Sequence, residues 1–131
     1  MKQTVSAKQQ FLSENQRKGE IYAGIVLGKD GEPDYHLFKL PGEVKRATWQ
    51  GAIDWAKSIG GEAPNRRELG LLRVNAREHF EDAAYWSCEQ HASFSACAWY
   101  QYFGYGGQDN DYQDDELRGV AVRRVCIEEQ L

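Results

Sequence analysis

Residues 48–74, TWQGAIDWAKSIGGEAPNRRELGLLRV, decide how the chain is organised. Thr48 is a helix-capping residue, and Trp49, Ala52, Ile53 and Ala56 recur at helical spacing, so they form one apolar stripe. Gly60 and Gly61 end that helix, because the left-handed residue at a helix terminus favours glycine. Pro64 breaks the chain again, and Asn65 with Glu68 three residues later makes a variant capping box for a second helix. Leu69, Leu72 and Val74 are expected on its buried side.

On both flanks the pattern changes to strands. Before the helices, Ile21–Leu27 (IYAGIVL) and Tyr35–Leu40 (YHLFKL) are rich in β-formers and enclose the turn-dense GKDGEPD, which predicts a β-hairpin closed by Pro41-Gly42. After them, Tyr85–Cys88, Ser95–Phe103 (SACAWYQYF) and Val120–Ile127 (VAVRRVCI) read as strands. Arg77–Asp82 reads as a loop or short helix, and Gly104–Glu116 (GYGGQDNDYQDDE) as a glycine-rich acidic loop. The order of hairpin, two helices and antiparallel sheet is an α+β pattern without βαβ alternation. Residues 1–19 are polar and read as a loose or partly helical arm, and residues 20–131 as one domain.

Composition narrows the classes of function. A net charge of −4 disfavours a nucleic-acid backbone and an anionic membrane as partners, since both need clustered Lys and Arg. The first twenty residues hold no apolar core and are not read as a secretory signal, and no apolar run is long enough to span a bilayer. Three cysteines, Cys88, Cys97 and Cys126, then suggest reduced thiols in a cytoplasm. The three histidines, His36, His79 and His91, are too scattered for a zinc motif. Asp109, Asp111, Asp114, Asp115 and Glu116 are dense enough for calcium, but Asp114 stands where the EF-hand pattern needs glycine. No cofactor and no metal are expected.

Three blocks carry a resemblance. The first is Thr48-Trp49, the alanine-rich helix, Gly60-Gly61 and Pro64-Asn65-Arg66-Arg67-Glu68-Leu69. The second is Tyr85-Trp86-Ser87 with Ala98-Trp99, Phe103 and Gly107, and the third is Val122-Arg123-Arg124-Val125. In this order they resemble the C-terminal domain family first described in a bacterial collagen-like adhesin and widespread in prophage-encoded proteins. The resemblance covers roughly residues 20 to 126. It implies a C-type-lectin-like fold of the kind seen in formylglycine-generating enzyme. Gly61, Glu62 and Ala63 depart from the family's Trp and Arg-Leu pattern, and Cys88 replaces a second serine.

The expected function is binding rather than catalysis. Trp99–Gln113 (WYQYFGYGGQDNDYQ) combines Tyr, Trp, Gly, Gln, Asn and Asp as recognition loops do: rings give contact area at low entropy cost and small polar groups adapt. In a strand, Ala98, Tyr100 and Tyr102 face one side and Trp99, Gln101 and Phe103 the other, so one side is less buried. The candidate binding residues are Trp99, Tyr100, Tyr102, Tyr105, Gln108, Asn110, Tyr112 and Arg123. The resemblance marks Tyr85, Trp86, Trp99 and Arg123 as family-pattern positions that hold the fold or touch the ligand. The leading reading is a phage- or prophage-type accessory protein in the host cytoplasm. It would dock residues 100–115 on a protein partner, a host defence component being one form, with a homo-oligomer left open. A carbohydrate- or calcium-dependent lectin is the first alternative. The second is a cysteine-dependent oxidase using Cys88 and Cys97, which the resemblance to formylglycine-generating enzyme suggests.

Overall fold

The computed structural model describes residues 5–127. In chain order they form α1 (Ala7–Asn15), β1 (Ile21–Val26), β2 (Tyr35–Lys39), β3 (Val44–Ala47), α2 (Trp49–Ser58) and α3 (Arg66–Ala76). A 3-10 turn at Arg77–His79 follows, then β4 (Ala84–Gln90), β5 (Cys97–Tyr102), β6 (Gln108–Tyr112), β7 (Leu117–Gly119) and β8 (Val122–Cys126).

The helix ends obey their end groups. The Gly51 amide donates to Thr48 Oγ1, and Gly60 takes the left-handed conformation with φ of 88° after α2. At α3 the capping box is complete, because Glu68 N donates to Asn65 Oδ1 while Asn65 N donates to Glu68 Oε1. Leu69, Leu72 and Ala76 are sealed in the interior, but Val74 is 77% exposed, which corrects its assignment to the buried side. At 3.6 residues per turn Val74 lies about 140° around the helix from Leu69, and Ala76 completes the stripe instead.

The strands form two sheets. The smaller has the order β1-β2-β8, so the last strand pairs with the first hairpin. The larger has the order β3-β7-β4-β5-β6. It is mixed rather than purely antiparallel, because β4 and β7 run parallel through Tyr85 and Arg118. The acidic loop expected over 104–116 contains β6, paired along its length with β5. Alternate residues of β4 point into different cores. Tyr85 joins Leu37, Leu69, Leu72, Phe103 and Val120, whereas Trp86 joins Ala47, Ala52 and Ala98. Thus α3 covers one face of the larger sheet and α2 covers β3, β7 and β4 on the other.

A buried ionic network ties α3 to β2 and β8 of the smaller sheet. The Glu68 carboxylate, fully inaccessible, accepts from Tyr35 Oη, Asn65 N and Arg124 Nε and Nη2, at 2.7, 2.8, 2.6 and 2.8 Å. Burial pushes this carboxyl up, but the Arg124 and Asn65 hydrogen bonds and the guanidinium charge hold it below its ordinary value of 4.5. Burial and then the bond to Glu68 push the Tyr35 phenol up to about 12. The polar N-terminal stretch is helical over α1, which begins with its own capping box at Ser6. Phe11 stacks on His36 at 3.7 Å, and Arg123 donates to the Asn15 carbonyl, so α1 is fastened to the smaller sheet.

Candidate functional site

The β5–β6 hairpin forms the site, and its register sorts the candidate residues onto two faces. Tyr100 stands opposite Asp109 and Ala98 opposite Asp111, while Trp99 stands opposite Asn110, Gln101 opposite Gln108 and Cys97 opposite Tyr112. Directly opposed residues share a face, and successive residues alternate. One face therefore carries Tyr100, Tyr102, Asp109 and Asp111, and the other carries Trp99, Gln101, Gln108, Asn110 and Tyr112.

The second face is stitched to α3. Arg66 lies 3.6 Å above the Trp99 ring, and its Nε donates to Gln108 Oε1 at 2.9 Å. Gln108 Nε2 returns bonds to the Arg66 carbonyl and to the buried Gln101 Oε1. Gln108 thus serves as a buttress. His91 also stacks on Trp99, with centroids 4.9 Å apart. Its Nδ1 accepts the amides of Ser93 and Phe94, which fixes the turn between β4 and β5. That turn presents Phe94, 62% exposed, beside Tyr112, 65% exposed. Between them lies a groove of about 570 Å³ that also touches Cys97, Asn110 and Asp111. Phe94 and Arg66 were not among the candidates. The only sequence signal for Phe94 was a large apolar residue inside the polar run His91–Ser95.

The first face is built around stacked tyrosines. Tyr102 and Tyr105 lie ring on ring, 4.7 Å apart and 19° from parallel. A Cβ at Gly104 would sit 2.5 Å from the Tyr102 ring, and one at Gly107 would sit 2.8 Å from the Tyr105 ring. Those two glycines leave room for the rings. Arg73 and Arg77 of α3 and the following turn donate to the Gly104 carbonyl, and Arg73 also to that of Phe103, so the base of the connection is held. Tyr105 is 77% exposed. Burial, then the charges of Asp109, Tyr105 and Asp111, raise the Tyr100 phenol above its ordinary value.

The outer edge of β6 is partly closed by its own side chains. Tyr102 N donates to Gly107 O and Gln113 N donates to Ala96 O, so odd-numbered residues of β6 bond to β5 and the amides of Asn110 and Tyr112 point outward. Asp109 Oδ1 accepts the Asn110 amide and Asp111 Oδ1 accepts the Tyr112 amide, each at 2.7 Å. These are two of the three outward donors an incoming strand would meet, the third being the Gln108 amide.

Arg123 does not belong to this surface. It sits in β8 of the other sheet, donates to both Glu20 oxygens at 2.9 and 2.7 Å, and lies over Phe38. Its side chain is largely covered, which corrects its place among the binding residues. Tyr85 and Trp86 are interior residues; the indole N–H of Trp86 donates to the Ala47 carbonyl. Cys88, Cys97 and Cys126 are free thiols. Gln90 pairs with Ala98 and the His91 amide bonds the Cys97 carbonyl, so Cys88 and Cys97 are not opposed across β4 and β5. Burial and the Glu89 charge raise the Cys88 thiol, the reverse of what a nucleophile needs. Among the described residues no group of three or more His, Cys, Asp or Glu side chains is placed to hold a metal ion, and no helix is long and apolar enough to cross a membrane. No family model matches the chain, and no curated protein matches it.

Proposed function

We propose that this protein is a non-catalytic binding module on a C-type-lectin-like scaffold, docking the β5–β6 hairpin on a protein partner in the cytoplasm. The scaffold reading is supported by strands from both ends of the chain meeting in one sheet, with two helices between the hairpins. Three free thiols are in keeping with a reducing compartment. A phage or prophage setting rests on the sequence resemblance.

One observation carries the docking reading. Tyr105 and Tyr112 on the β5–β6 hairpin, and Phe94 on the adjoining β4–β5 turn, are all more than half exposed, and α3 and the turns' own bonds hold both segments. Large rings held still in water cost little further entropy when a partner covers them, and such rings dominate binding energy at interfaces. Because two of the three outward amides of β6 already have acceptors, the partner would meet side chains rather than add a strand.

A photo-crosslinking amino acid at Tyr105, at Tyr112 and, as control, at the equally exposed Val74 tests this in the cell that makes the protein. The expected result is one and the same adduct from 105 and 112 and none from 74. Adducts absent from both hairpin positions, or equally strong at 74, would overturn the docking reading.

A further inference from the structure

We infer that the Tyr100–Tyr105 face of the hairpin takes an arginine-bearing segment of the partner, with guanidinium groups laid on the tyrosine rings and bonded to Asp109 and Asp111. This deepens the docking reading and rests on it.

The two faces of the hairpin supply the argument. On one, the exposed side of an aromatic ring is already covered by a guanidinium from the same chain, with Arg66 over Trp99 and its Nε on the Gln108 amide. On the other, three tyrosines and two carboxylates are arranged to hold the same group, and none of the described residues supplies one. Residues 97–116 contain five acidic residues and neither Lys nor Arg. Among the described residues Asp109, Asp111, Asp114 and Asp115 make no ion pair, whereas Glu116 meets Arg46. Asp109 and Asp111 each spend one oxygen on a backbone amide; Asp109 keeps the other for a ligand, while Asp111 also meets the Asp115 carboxyl. A hydrogen bond to Asp111, and then the charge of Asp111, raise the Asp115 carboxyl, so acidic groups crowd this end of the hairpin.

That charge selects the ligand class. Phosphates and acidic peptides are repelled. A cation is attracted both by the carboxylates and by the ring faces, of which Tyr105 is the most open. Guanidinium fits better than ammonium because it is flat, stacks on a ring, and donates two parallel bonds to a carboxylate while stacked. α2 covers β3, β7 and β4, and Tyr100 packs at the margin of that core, whereas Tyr105 beyond it stands 77% exposed.

The test titrates the full ¹⁵N-labelled chain with a blocked Arg-Gly repeat peptide and with its Lys-Gly counterpart. Saturable shifts are expected at residues 100–111, with the arginine peptide bound about fivefold more tightly. Asp109→Asn with Asp111→Asn should weaken it roughly tenfold. Asparagine keeps the oxygen that accepts the edge amide, so the strand is preserved. Asp30→Asn with Glu32→Gln removes acidic charge from the exposed β1–β2 turn and should change nothing. No saturable shift at 100–111, equal weakening by the turn pair, or the same shifts from calcium chloride alone would overturn the inference. Crosslinks at 105 and 112 that persist while the peptide fails to bind would leave docking standing and remove only its arginine chemistry.

Discussion

Replacing Arg124 by methionine would leave the Glu68 carboxylate sealed in the interior with two of its four hydrogen bonds removed and its counterion gone. Glu68 is fully inaccessible, and Arg124 supplies the bonds at 2.6 and 2.8 Å. Breaking one side of a buried pair costs about 3–5 kcal/mol. A domain's whole stability is only about 5–15 kcal/mol, so urea unfolding at pH 7 should show a large fall in midpoint at unchanged slope. The pH dependence separates this cause from lost packing. In the native protein the Glu68 carboxyl titrates below 4.5, so its contribution is complete above 4.5 and disappears as pH falls through the lower folded value. Without Arg124 the burial that now opposes ionisation prevails and the folded carboxyl rises above 4.5. The variant then regains stability as pH falls through that raised value toward 4.5, and its deficit against the native protein narrows between pH 7 and pH 5. Adding Glu68→Gln should recover part of the loss at pH 7, because the amide oxygen can still accept from Asn65. A loss below about 1 kcal/mol, or a deficit that widens in acid, would refute the account of Glu68 as a charge kept ionised by Arg124.

Three further outcomes follow from the hairpin and the N-terminal helix. Asp109→Ala with Asp111→Ala strips the acceptors from two outward amides, and size-exclusion chromatography with light scattering should show more self-association than in the native or the Asn-substituted protein. Gly104→Ala places a methyl where the Tyr102 ring lies, so near-ultraviolet circular dichroism should lose tyrosine signal for a stability cost of about 1 kcal/mol. Burial holds His36 below its ordinary 6.5, so the unfolded chain takes up a proton that the native contact refuses. Stability from that contact is complete above 6.5 and declines as pH falls toward the lower folded value. The protection of the α1 amides, measured against their intrinsic exchange rates, should fall over that window, and His36→Phe should remove the dependence.

Elements that carry their own end groups or apolar stripes were legible in the sequence. Thr48, Gly60 and the Asn65–Glu68 pair mark helix ends through bonds made within three residues, so no tertiary information is needed. The hairpin of β1 and β2, and the strands containing Trp86 and Trp99, announce themselves by β-formers. β3 and β7 are short, and pairing decides them: β3 lies beside β7, and β7 also beside β4. Arg123 was misplaced because a guanidinium suits a ligand site and an internal ion pair equally well. The decision rested on Glu20, 103 residues away.

β6 is the instructive omission. Its sequence, QDNDY, has almost none of the residues that favour strands, and Asp and Asn normally signal turns because their side chains bond nearby backbone. Here they do bond nearby backbone, but the amides they take are those facing away from β5, so the ladder survives and the outer edge is partly blocked. The same aspartates that hide the strand from a propensity reading protect its edge and charge the tyrosine face. A hydrophobic strand in that place would be easier to recognise from sequence, but its free edge would invite any passing strand. With a polar strand whose outward amides at Asn110 and Tyr112 are internally satisfied, recognition is left to side chains, and specificity to the rings and carboxylates held on the two faces.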